Sequence, residues 1–447
     1  MNKGFKEFLF EDIVNKNKGF LRGPFGGSLK KEIFVPKGEN TYKVYEQGVV
    51  LRKNIEIGDY YIKEEYFNQT MYRFEVCPKD FLVSCSGANY GAIFQMPENI
   101  ETGIINQALL RIRLNNKLIN DKYFDYFFSH HLVNQIIGKK GDSTIPNFPP
   151  VSVLKKLKIK IHSCINYQKQ IAKVLSDLDA KIEVNNKINA ELEAMAKLIY
   201  DYWFVQFDFP FDFAQGKPDP KGKPYKSSGG KMVYNKELKR EIPEGWDVDI
   251  IGNLLTKDKK TTKIPSSEYL ENGKIPIIDQ STKFICGYTN EENSLIETYK
   301  PRIVFGDHTR IVKLINFDFA RGADGTQVLL SNNSRMPQHL FYHVLLKIDL
   351  SNYGYARHFK FLKDTKVIIP QLEIARAFEK QTEGFFNKIK QNMLENQKLS
   401  ELRDWLLPML MNGQVTISNE ELRITNAELR NDLGMVAEEK EEYKYPK

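Results

Sequence analysis

Two stretches of the chain repeat apolar residues in alternating steps of four and three. In the first, from about Ile165 to Val205, the stripe is Ile171, Leu175, Leu178, Ile182, Asn185, Asn189, Leu192, Ala196, Ile199 and Trp203. In the second, from about Leu372 to Met411, it is Phe378, Thr382, Phe385, Ile389, Asn392, Asn396, Leu399, Arg403 and Leu406. That spacing belongs to a helix packed lengthwise on another helix, so both stretches predict long helices with a coiled-coil seam. A shift of 207 positions superposes Ile182 on Ile389, Asn185 on Asn392, Asn189 on Asn396 and Leu192 on Leu399. Asn at a seam position weakens a helix pair but fixes its register. The competing reading leaves these Asn exposed on ordinary helices.

The repeat extends upstream of each helix. Leu157 to Ile161 and Lys366 to Pro370 both read as β-type segments. Phe81-Leu82-Val83-Ser84 resembles Arg302-Ile303-Val304-Phe305, and Asn106 to Leu110 resembles Thr326 to Leu330, at an offset of about 220. Further strands are expected over Tyr42–Leu51, Met71–Val76, Ala108–Leu114 and Lys274–Ile278, with short helices near Asp121–Ile137 and Pro337–Lys347. Each half is therefore a mixed α+β globule followed by a long helix. The divisions are 1–164 for the first globule, 165–206 for its helix, 242–370 for the second globule and 371–413 for the distal helix. Residues 207–241, rich in Pro, Gly, Lys and Asp, read as a linker with little core, and 414–447 as a polar tail.

Composition narrows the class. The 447 residues suggest two to four domains at roughly 100–200 residues each. Hydrophobic residues at 41% and aromatics at 12% are enough for sizeable cores. The net charge of +8 permits a polyanionic partner without requiring one. Cys77, Cys85, Cys164 and Cys286 form no CxxC pair, which argues against a zinc ribbon or a disulfide scaffold and fits a reducing cytoplasm. No apolar run approaches the ~18–20 residues of a membrane span, and the charged N-terminus is unlike a signal peptide.

Catalytic signatures are missing. The nearest approach to a phosphate-binding loop, Gly216 to Lys223, has the wrong glycine spacing and continues into Pro224. Asn147-Phe148-Pro149-Pro150 breaks the order of an adenine methyltransferase signature and reads as a rigid turn. His339 and His343 stand four apart without an HExxH pattern, so no metal site is expected. What remains is a set of basic, small polar and aromatic clusters on segments that read as loops. In the first half these are Arg22, Lys30, Lys31, Arg52, Lys53, Asn89, Tyr90, Lys139, Lys140, Ser143 and Thr144. In the second they are Lys259, Lys260, Thr261, Lys263, His308, Arg310, Arg321, Tyr355, Arg357 and His358. Lys, Ser and Thr suit phosphate contacts, and Arg and Asn can read base edges.

Gln170 to Phe209 (QIAKVLSDLDAKIEVNNKINAELEAMAKLIYDYWFVQFDF), the segment Gly222 to Trp246 and the distal helix Ile374 to Val415 resemble the specificity subunit of type I restriction–modification systems. The likeness runs over the whole chain in the order globule, helix, globule, helix. It implies two target-recognition domains, each reading one half of a split duplex target, and two helices packed as an antiparallel coiled coil with pseudo-twofold symmetry. It also implies a non-catalytic chain that docks two modification subunits, which bind S-adenosylmethionine and methylate adenine. A restriction subunit would add translocation driven by ATP and Mg. Two alternatives come from other classes. One is a coiled-coil scaffold joining two modules that do not bind DNA. The other is an enzyme with a nuclease or methyltransferase site assembled from distant residues.

Overall fold

A computed structural model describes residues 4–87, 89–133, 136, 148–256, 261–323, 325–354, 357–418 and 421–424. The chain divides into two compact units, Met1–Ile182 with Gln397–Lys447, and Glu183–Asn396. The long helices span Ile165–Tyr200, continued by a wider turn over Asp201–Val205, and Leu372–Asn412. Each helix therefore contributes residues to both units.

In the first unit, Lys158–His162 alternates exposed lysines with buried Ile159 and Ile161, the period of a strand with one wet face. It pairs antiparallel with Phe5–Leu9. An antiparallel sheet follows the order Phe20–Arg22, Leu109–Ile112, Phe81–Ser84, Ile93–Gln95. A second sheet joins Tyr61–Lys63, Thr41–Tyr45 and Gly103–Ile105, the last two parallel. Helix Asp121–Phe127 starts where the Asn120 side chain accepts the Tyr123 N–H at 3.1 Å. Its Phe124 and Phe127 join Phe10, Phe81 and Phe128 in one core, closed by Ile171 and Leu175 of the first long helix and Leu406, Leu407 and Leu410 of the second. The start of one long helix thus packs on the end of the other. Asp179 stands at this junction, accepting from Tyr126 and from Arg403 (2.8 Å).

The second unit repeats this order. Asp247–Ile250 pairs with Lys366–Ile369. Val312–Ile315, Arg302–Gly306 and Thr326–Leu329 form an antiparallel sheet. Ile275–Ile278 pairs antiparallel with Gly287–Thr289 and parallel with Phe319–Arg321. Helices Gln338–Leu346 and His358–Asp364 precede the final strand. The core gathers Phe378, Tyr200, Trp203, Phe204, Leu340 and Phe341.

Several expectations fail. The strand expected over Tyr42–Leu51 is instead Thr41–Tyr45, because Gln47–Arg52 turns helical to bury Val49 and Val50. Met71–Val76 holds no strand. Phe67, Met71 and Phe74 are buried at steps of four and three, a helical period that β-rich composition masks. The stretch 207–241 is not a linker with little core. Phe207, Phe209 and Tyr225 are buried, and Phe209 stacks on Tyr225 and Trp246 with ring centres 4.6 and 5.4 Å apart. A few aromatics anchor it, and its Pro and Gly content hides them. The polar tail begins with a hairpin, Val415–Ser418 with Glu421–Ile424, in which Val415 is buried and the Ile417 N–H donates to the Tyr167 hydroxyl at 2.9 Å.

Candidate nucleic-acid interface

The seam residues occupy the helix pairing. Ile171 and Leu175 are buried in the first unit, Leu178 packs at the edge of that core, and Ile182 and Leu399 are half-buried. In the second unit Phe378 and Ile389 are buried, and Leu192 and Phe385 pack beside Ile389. Asn185 and Asn392 are 1% and 0% exposed, which excludes the reading of free surface polar groups. Asn185 Nδ2 donates to Asn396 Oδ1 (2.8 Å) and to Glu395 (2.9 Å). Asn392 Nδ2 donates to Asn189 Oδ1 at 2.8 Å. Because Asn185 corresponds to Asn392 and Asn189 to Asn396, the two rungs interchange when the helices interchange. A buried amide left unpaired is costly, so a slipped register is disfavoured.

Above the sheets, each globule draws four separate segments together with the same backbone bonds. Asn106 N–H donates to Tyr45 O (3.0 Å), as Gly322 N–H does to Ile278 O (2.9 Å). Cys85 donates to Ala108 O (2.8 Å), as Asp307 does to Gly325 O (2.7 Å). Phe148 donates to Cys85 O, as His358 does to Asp307 O, both at 2.9 Å. Gly91 donates to Ser84 O (2.7 Å), as Arg310 does to Gly306 O (2.8 Å). The segments after Tyr45, Ser84 and Ile105 and around Phe148 therefore match those after Ile278, Gly306 and Arg321 and around His358.

The side chains on this common plan differ. In the first globule Gln47 Nε2 donates to Ser84 Oγ and Ser86 O, each at 2.6 Å. Gly23 lies so close to Asn106 that an added Cβ would stand 1.8 Å from its carbonyl oxygen. Arg22 Nη1 reaches Phe148 O at 3.4 Å, and Asn89 is exposed. Tyr90 packs half-buried against the core. In the second globule Gln280 Oε1 accepts the His308 N–H (3.0 Å), and its backbone oxygen accepts from Thr309 Oγ1 (2.7 Å). Gly325, at φ +70°, leaves room for Gln280 and His308 beside it. His308, Arg310 and Arg357 are exposed here, and Arg321 is half-buried. Ile264 bridges to Gly322 and brings exposed Lys263 alongside, with half-buried Thr261 just before it.

Beneath the loop, Lys313 is 6% exposed and donates to Asp279 O (2.9 Å) and to Lys283 O. Burial pushes its ammonium below the usual lysine range. Burial pushes the Cys286 thiol up, and so does its hydrogen bond to Asp279. Burial acts to raise Asp279, but hydrogen bonds from Cys286 and Ser281 hold it below the usual range.

Not every candidate reaches these clusters. Lys30 and Lys31 are exposed at the turn Lys31–Ile33, and Arg52 and Lys53 at the end of helix Gln47–Arg52. None of the bonds just described involves them. His358 needs correction as a ligand contact. It is 3% exposed, Nδ1 lies 2.9 Å from Asp307 O, and it fills the place that buried Phe148 takes in the first globule. Lys139, Lys140, Ser143, Thr144, Lys259, Lys260 and Tyr355 lie outside the described residues. The sequence reading missed Gln47, Gln280, Asp279 and Lys313. One signal was available: Glu46-Gln47 and Asp279-Gln280 each follow a core strand.

His339 and His343 are both buried on helix Gln338–Leu346. His339 stacks on Phe386 and lies 2.9 Å from Glu379, and His343 sits between Tyr200 and Phe378. Among the described residues, no group of three or more His, Cys, Asp or Glu is placed to hold a metal, and no helix is long and apolar enough to cross a membrane.

The family model for the type I restriction modification DNA specificity domain matches twice, over residues 75–194 and 243–404, well over half the chain. The chain belongs to this family. It is a non-catalytic DNA-specificity subunit with two target-recognition domains, as the resemblance of its helices implied. It is 26% identical to the type I restriction enzyme MjaIX specificity subunit of Methanocaldococcus jannaschii, covering 76% of this chain and 79% of that one. It is 22% identical to the HindI specificity subunit of Haemophilus influenzae, covering 75% and 86%. The type I S subunit from M. genitalium shares the fold, with a TM-score of 0.53 and 19% identity over 91% of this chain and 96% of that one.

Proposed function

We propose that each globule binds one half of a two-part duplex target through its four-segment loop cluster. The observation carrying this is the shared backbone plan filled with different side chains: Gln47, Ser86 and Asn89 in one cluster, Gln280, His308 and Arg310 in the other. One frame with two chemistries suits two different half-sites. Exposed Arg, His and Asn supply donors to base edges, and Lys263 and Arg357 suit phosphates. The long helices dock two modification subunits, which supply S-adenosylmethionine and the adenine methylation chemistry. A restriction subunit adds translocation and cleavage with ATP and Mg. The assembly works in the cytoplasm, and this chain holds no cofactor of its own.

The test is methylome sequencing of a host carrying this chain with its modification subunit. Deleting the chain should erase one split methyl-adenine motif. Exchanging residues 1–164 for those of another family member should change one half of that motif and leave the other. Loss of no motif while the partner remains active would overturn the reading and favour the scaffold. Duplex binding by the complex should also fall steeply with salt, because phosphate contacts release counterions.

A further inference from the structure

Resting on that reading, we infer that Arg310 is a specificity-determining residue of the second globule and reads a guanine in its half-site. Three observations converge on it. Its backbone holds φ +62°, a left-handed conformation that side chains rarely adopt. The matching residue in the first globule is Gly91, at φ +88°, with the same backbone bond to the preceding strand. The fold thus calls for glycine here, and the second globule carries an arginine instead. The arginine is exposed and fills no core. A side chain kept at a glycine position outside the core, with the Asp349 carboxylate in its electrostatic reach, points to use rather than to packing.

The turn beneath Arg310 is held from three sides. Gln280 takes the His308 N–H and the Thr309 hydroxyl. Gly325 accepts the Asp307 N–H. The Asp307 carboxylate accepts the Phe359 N–H at 2.8 Å, which ties the turn to helix His358–Asp364. A guanidinium on a rigid support loses less freedom when it forms a paired contact. Its planar fork matches guanine O6 and N7 in the major groove, which no other base offers as two adjacent acceptors. Gln280 is then a positioning residue, because its amide oxygen is engaged with the turn.

The experiment is selection from a duplex library, randomised across the target, by the full chain in complex with its modification subunits. Arg310→Gly and Arg310→Ala are compared with the wild type. Loss of a bidentate contact predicts that enrichment of one guanine in one half-site falls roughly 5- to 150-fold, with every other position unchanged. Arg310→Gly also relieves the left-handed backbone, so its melting temperature should equal or exceed that of the wild type. That separates lost readout from failed folding. Retention of the full motif by a folded Arg310→Gly complex overturns the assignment. So does a uniform loss of affinity with a salt slope smaller by about one, the mark of a phosphate contact. If the wild-type complex enriches no sequence, the functional reading itself fails, whatever the variant does.

Discussion

The two globules support their loop clusters by different means. In the first, Val44, Tyr45, Val49, Phe67, Met71, Phe74, Leu82 and Ile104 form a continuous apolar layer. Helix Gln47–Arg52 and the turns through Phe74 supply much of it. In the second, the matching layer is two smaller clusters, around Ile278 and Phe319 and around Ile264 and Ile277. Polar braces stand in for the rest: buried Lys313 under the 279–286 loop, half-buried Gln280 beside the turn, and buried Asp307 at the start of a helix. The same strand order therefore tolerates either kind of support. Sheet pairing sets where the loops lie, and the material beneath them is free to diverge.

The largest test asks whether the helix frame is equally essential in both units. Phe378 is fully buried among Tyr200, Trp203, Phe204 and His343. Phe378→Ala should cost about 3–5 kcal/mol and Leu175→Ala about 2–5 kcal/mol in urea unfolding. A cost below 1 kcal/mol in either would break the equivalence of the two frames.

Acid should then load the second frame at a buried histidine, His343. Burial pushes His343 down to about 4, so it stays neutral in the folded state while the unfolded chain takes up a proton near 6.5. The folded pKa is the lower one, so stability falls as pH drops from about 6.5 to 4 and levels off below. The loss is on the order of 3 kcal/mol for this group. The matching helix of the first unit buries Phe124, Phe127 and Phe128 instead. His162, also held down by burial, adds a further acid-sensitive group there. His343→Phe should flatten the pH dependence of the second unit, and an unchanged slope in hydrogen exchange would show the histidine is not its source.

The Asn rungs offer a smaller effect with a clear sign. Asn185→Leu leaves Asn396 and Glu395 without their buried donor and should cost about 1–3 kcal/mol. The double change Asn185→Leu with Asn396→Leu should recover most of that loss, giving a coupling energy of about 0.5–3 kcal/mol in a double-mutant cycle. Simple additivity would mean that Asn185 and Asn396 contribute independently of each other.

Smallest is the brace itself. Lys313→Met should cost about 1–3 kcal/mol by taking the buried ammonium donor from the Asp279 and Lys283 carbonyls. Faster amide exchange should be confined to the 279–286 loop. Equal acceleration through the first globule's loops would show the support is not local.

The long helices were legible because a four-three period persists over some forty residues, and packing follows the period. The repeat was legible because Asn185, Asn189, Asn392 and Asn396 have no place on a seam unless they meet each other. The loop clusters were only partly legible. Arg22, Asn89, His308, Arg310 and Arg321 were named for their chemistry, but what joins them is strand pairing between segments far apart in sequence. His358 looked like a reader because histidine is a polar letter, although its position is a core position. Gln47 and Gln280 carry no chemical signature and become visible only when the acid–Gln pairs are set beside the strands they follow.

The aromatic stack of Phe209, Tyr225 and Trp246 bears on how such chains can be recombined. Residues 207–241 look like natural cut-and-paste territory, yet a crossover there parts Phe209 from Trp246 and asks two ancestries to agree on one packing. Crossovers within a long helix keep the stack whole and have only to preserve heptad phase. Exchange of reading heads between lineages should therefore leave its junctions in the helices and carry the proline-rich stretch along as part of the second head.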